Sequence, residues 1–248
     1  DAKVHDMEIR DIHGKFSLLE EYVILNKMSG VIGNSDFMSN MYLYTGQNDS
    51  IRKASNHLKI ESAHLDFDQL SNYSRRSSNT GEIQNHDSAF NIYTVPFNDF
   101  TFEFDIGQLN YHKHLLEDIN ADLRIQKNHH LYVDTLLFQT SGGKIDISGY
   151  FDGSDADSIY FYPIVKVSNV NLEDLLYKFD NFGQDYIISE NLVGRFSGNI
   201  YGRVHVHADM VPQIADSEVF LDFEIVDGIL KNYKPLDALS DYFKDKNL

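Results

Sequence analysis

Spacing and composition predict a mainly β protein: an antiparallel meander carrying two or three short helices. Three observations carry this. Apolar and polar residues alternate with a period of two, as in Phe100, Phe102, Phe104 and Ile106 against Thr101, Glu103 and Asp105. Turn chemistry recurs between such runs at a spacing of about ten residues. The 15 Tyr and 17 Phe, with abundant Val and Ile, favour strands over helical repeats.

The elements follow in order. Met7 to Ile12 and Phe16 to Leu25 read as strand or mixed segments around a Gly14 turn. Asn34, Ser35 or Asp36 is placed to cap a helix over Phe37 to Tyr44. Leu58, Ile60, Leu65 and Phe67 alternate across a bulge near Ser62-Ala63. Residues 72–91 are polar and read as a loop or linker, with Arg75-Arg76 as a solvated tip.

Beyond this loop come Ala121/Leu123/Ile125, Leu131/Val133, Leu136/Phe138, Ile145/Ile147 and Phe151. Lys127-Asn128, Ser141-Gly142-Gly143 and Asp152-Gly153-Ser154-Asp155 supply the turns between them. Ile159 to Val167 is apolar or aromatic on both faces, which predicts a strand covered on both sides. Asn171 then caps a helix with Leu172, Leu175, Leu176 and Phe179 on one stripe. Leu58 to Leu70 and Val165 to Leu176 echo one another as strand-plus-helix units, as a repeat-built sheet requires.

The formal net charge of −17 repels phosphate backbones, so no nucleic-acid partner is expected. It also disfavours anionic lipid head groups, leaving apolar surface as the route to any lipid contact. Without cysteine there are no disulfides, thiol nucleophiles or Cys-based metal sites. No apolar run reaches 18 residues, and the polar start at Asp1 suggests an excised fragment.

His205, His207 and Asp209 project from one face of a strand and form the sharpest metal candidate. With no helper carboxylate evident, solvated histidines opposite a buried Val204, Val206 and Ala208 is the preferred reading. His112, His114, His129 and His130 read as solvated too. Gly194, Gly198 and Gly202 do not fit a phosphate loop, and read as devices for strand curvature or bulges. No catalytic motif is found, so neither an enzyme nor a cofactor is expected. Phe100, Phe102, Phe104, Leu123, Ile125, Leu131, Val133, Ile145 and Ile147 either line a groove or form a sandwich core. On the residues alone, the packed core is preferred.

Two ordered motif sets bear on that choice. The first is Gly142, Gly143, Ile145, Ile147, Gly149 and Phe151, followed by Val170, Leu172, Leu175, Leu176 and Phe179. The second is Gly194, Gly198 and Gly202, then the strand Val219 to Val226, then Asp227, Gly228, Asn232, Pro235 and Leu236 as a turn before a terminal helix. Together they resemble the AsmA family of bacterial envelope proteins. The resemblance implies an elongated, curled, groove-forming sheet and a periplasmic place, with an inner-membrane anchor outside this chain. It further implies a role in moving phospholipid toward the outer membrane, with other envelope proteins as possible partners. The nine apolar residues then become lipid-groove candidates. The expected organisation is an N-terminal portion over 1–71, a linker over 72–91 and a C-terminal sheet over 92–248. The rival is a structural or scaffolding envelope domain; a metal-dependent enzyme on His205, His207 and Asp209 ranks below both.

Overall fold

A computed structural model describes residues 7–70, 91–94, 98–111, 114–178, 181, 188–208 and 212–233. The linker with its Arg pair, His112, Phe179, Asp209, Pro235, Leu236 and the terminal helix lie outside the described residues. The strands are β1 Ile9–Leu18, β2 Tyr22–Ile32, β3 Ser35–Tyr44, β4 His57–Asp66, β5 Phe100–Tyr111, β6 His114–Gln126, β7 His130–Thr140, β8 Gly143–Asp152, β9 Tyr160–Asn171, β10 Leu192–Val206 and β11 Pro212–Leu230. Three short helices, α1 Asp49–Ser55, α2 Phe67–Leu70 and α3 Leu172–Lys178, and a 3₁₀ turn at Ile92–Thr94 complete the described elements.

The strands form one open, curled sheet whose spatial order is the chain order, β1 to β11. Both the N-terminal and the C-terminal portions lie in it. Nine of the ten joints are antiparallel. The exception joins β4 to β5, which run parallel from His57 opposite Thr101 to Asp66 opposite Asn110. A parallel joint needs a long crossover rather than a hairpin, and the chain between Asp66 and Phe100 supplies it.

Curl follows from a repeated backbone device. Lys27 in β2, Asp118 in β6, Asn169 in β9 and Asp227 in β11 all have positive φ. Each lies at a register shift where its strand has one residue more than its neighbour. Such bulges bend a strand and increase its twist. Two of these backbone N–H groups find side chains: Lys27 donates to Asn40 Oδ1 at 2.9 Å and Asn169 to Ser197 Oγ at 2.9 Å.

Four local expectations are corrected. Phe37 to Tyr44 belongs to a strand, because Gly33 (φ 57°) and Asn34 make a two-residue hairpin and Phe37, Met41 and Leu43 keep strand alternation. Gly14 sits inside β1 at a bulge, where a Cβ would meet Met28 Cα at 2.7 Å. Asp227-Gly228 does not end its strand: β11 runs through it as a bulge opposite Gly194. Finally, β9 is covered on one side only, with Tyr162 and Ile164 exposed on the other.

Two clusters hold the covered side. Leu172, Leu175 and Leu176 of α3 are buried against Ile106, Ile119, Phe138, Ile145, Val167 and Val170. Asn171 caps this helix as expected, accepting from the Asp174 N–H at 2.9 Å. At the opposite strand ends Ile92 packs on Phe151, Ile159 and Val206, and its N–H donates to the Ala208 carbonyl at 2.8 Å.

Candidate functional site

Residues directly opposite one another on paired strands share a face, so the register tells which side chains line up across the sheet. One line passes from β1 to β9 through Phe16, Leu25, Met41, Leu58, Phe102, Leu123, Val133, Gly149 and Pro163. A second passes from β4 to β11 through Ile60, Phe104, Ala121, Leu136, Ile147, Val165, Ile200 and Leu221. No charged or hydrogen-bonding side chain interrupts either line. With neighbouring strands about 4.8 Å apart, the stripe crosses about 48 Å of sheet.

The short helices stand at the two margins of this stripe. α1 and the 3₁₀ turn lie at one set of strand ends, α2 and α3 at the other. Their placement leaves the mid-strand residues as the floor of a trough. Beside α1 the trough holds a cavity of about 550 Å³ lined by Leu43, Phe100, Phe102 and Ile125, with Arg52 and Asn56 at its polar lip. Arg52 is tied there by its own protein, donating to the Gly46 carbonyl at 2.7 Å and to Asp49 at 3.0 Å.

All nine groove candidates occur on this face. Phe100, Phe102, Phe104, Leu123, Ile125, Leu131, Val133 and Ile147 are half-buried, with the three phenylalanine rings following one another at centroid distances of 4.8 Å (tilted) and 6.3 Å (stacked). Ile145 differs: it is buried in the cluster with α3, and so belongs to the wall rather than the open floor. Leu131 packs against the cluster around Phe151. Leu58, Ile60, Pro163, Val165, Ile200 and Leu221 lie on the same stripe, beyond the nine candidates. Their alternation is visible in the sequence; their alignment with Phe102 and Ile147 depends on register across other strands.

The opposite face is polar and aromatic. Arg124, Tyr132, Tyr150 and Tyr162 stand in register on β6 to β9. The Arg124 guanidinium lies 4.8 Å from the Tyr132 ring centre and also pairs with Asp134 through two hydrogen bonds. That pairing holds the Asp134 carboxyl below the usual carboxylate range. The Asp152 carboxyl is held low by the Ser154 hydroxyl and N–H, while burial and then the Asp152 charge push the Tyr150 phenol up.

The histidines have other partners. His205 packs on Tyr160 with centroids 5.1 Å apart, its Nδ1 3.9 Å from Asp216, while His207 Nδ1 is 2.8 Å from Gln213 Nε2. Among the described residues, no three His, Asp or Glu side chains converge as metal ligands. Nor is any described helix long and apolar enough to cross a membrane. Comparison with protein-family models, with curated proteins and with solved structures finds no match for this chain.

Proposed function

We propose that this chain shelters phospholipid acyl chains in the apolar trough. On this reading it is a periplasmic, non-enzymatic section of a lipid conduit between the inner and outer membranes, and serves envelope homeostasis. The observation that carries the reading is the pair of unbroken apolar lines across successive strands. A packed sandwich would bury them under a second sheet, whereas this sheet leaves Phe100, Phe102 and Phe104 half-buried. Each methylene moved from water onto such a surface gains about 0.8 kcal/mol. A continuous stripe lets an acyl chain slide without crossing a polar barrier. The AsmA-like motifs point the same way.

The test is native mass spectrometry with lipid extraction on protein purified gently from bacterial cells. Co-purified phospholipid should be lost in Phe102→Asp and Ile147→Asp, provided circular dichroism shows both variants folded. A photo-reactive phenylalanine analogue at position 102 gives a second readout that preserves the apolar floor, and should label lipid directly. A clean protein mass, no lipid label and no uptake from fluorescent phospholipid vesicles would sink the conduit reading and favour an envelope scaffold.

A further inference from the structure

The two outermost strands, β1 and β11, each have one unpaired edge among the described residues, and the apolar stripe runs out to both. On the trough side β1 ends in Phe16 and Leu18, exposed by 59% and 70%. β11 presents Val219, Leu221 and Phe223 on that side, exposed by 47–58%. Edges of this kind invite pairing with another strand unless something blunts them.

The opposite face decides which strand fits. On β11 it carries Glu218, Asp222 and Glu224, and no Lys or Arg occurs anywhere in Pro212–Leu230. On β1 the same face carries Arg10, His13 and Lys15. Glu8 lies 3.9 Å from Arg10 and Asp11 occupies a bulge, so β1 is mixed in sign where β11 is uniformly acidic. Two β11 edges would therefore repel, whereas β1, mixed in sign, meets β11 apolar to apolar on the trough face and on the other offers the Arg10 and Lys15 cations to the β11 carboxylates, which flank Phe220. Direction agrees as well. β1 and β11 run in opposite senses across the sheet, since ten joints with one parallel exception separate them. A second copy set beside the first in the same orientation thus places its β1 antiparallel to β11.

We infer that this chain self-associates head to tail, β11 of one copy pairing with β1 of the next, so that sheet and apolar stripe continue between copies. Such a contact is heterologous and builds rings or open chains rather than a two-fold dimer with like edges together. It stands whether or not the trough carries lipid.

Charge reversal at each edge tests it, because all six side chains are exposed and their replacement leaves the core untouched. One variant carries Arg10→Glu, His13→Glu and Lys15→Glu; the other carries Glu218→Lys, Asp222→Lys and Glu224→Lys. In sedimentation velocity at low salt, the unmodified chain should gain mass with concentration. Each variant alone should sediment as a single chain, and an equimolar mixture of the two should regain the associated mass. That recovery also rules out misfolding as the cause of the loss. A single-chain mass for the unmodified protein at every concentration overturns the inference. So does association that survives in either variant alone, or a mixture that stays monomeric.

Discussion

Arg124 and Asp134 lie opposite the trough, on neighbouring strands, where the guanidinium of one meets both carboxylate oxygens of the other. The lowered Asp134 carboxyl binds fewer protons in the folded chain than in the unfolded one. Its stabilisation is therefore complete above the unfolded value of about 3.9 and is lost as pH falls through the folded value. Both side chains are around two-fifths exposed, at 41% and 42%. Solvent screening then limits the pair to about 0.5 kcal/mol. Asp134→Asn is expected to lower urea-unfolding stability at pH 7 by that amount, with a difference that shrinks as pH falls below the unfolded value. Equal stabilities at pH 7 would show that the pair contributes nothing. The pairing was not legible in the sequence, because residues ten apart meet only once a hairpin has set their register.

At the level of elements, α3 is the best-anchored helix. Its stripe of Leu172, Leu175 and Leu176 is buried against six side chains from five strands, β5 to β9. Leu176→Ala should cost about 2–5 kcal/mol, read as a lower denaturant midpoint with an unchanged slope. A loss below about 1 kcal/mol would mean that α3 sits loosely on the sheet and does not wall the trough. This helix was legible because its cap and its 3.6-residue stripe are both local. β3 was misread for a related reason: Asn34, Ser35 and Asp36 are good caps, but here Ser35 Oγ accepts from the Asp66 N–H and Asp36 accepts from those of Ala63 and His64. The same polar atoms that can start a helix instead tie β3 to β4, and only the long-range partner tells the two apart.

For the whole molecule, each strand contacts its sequence neighbours, so stability is distributed as in a stacked array. Among the described residues the central strands have two partners, and β6 to β8 supply side chains to the buried clusters, whereas β1 and β11 have one partner each. Amide hydrogen exchange should therefore be slowest in β6 to β8 and fastest in β1 and β11, fraying inward from the ends. Uniform protection across all eleven described strands would argue for a single cooperative unit instead. If copies join as inferred, protection of β1 and β11 should rise with protein concentration while β6 to β8 stay constant.

Alternation, hairpin turns, the α3 cap and stripe, and the absence of a familiar catalytic motif were all determined by the sequence itself, since each depends on residues within a turn or a strand length. Alternation also puts the nine groove candidates on one apolar face; taken alone it favours a packed core, and the groove reading comes from the AsmA-like motifs. Three matters were decided only by tertiary structure. The parallel joint of β4 and β5 depends on a crossover whose ends meet across more than thirty residues. The transfer of Ile145 from floor to wall depends on where α3 lands. That no second sheet lies over the apolar face among the described residues is likewise a matter of tertiary structure. A period-two pattern records that one face avoids water; it carries no information about whether protein or another apolar molecule covers that face.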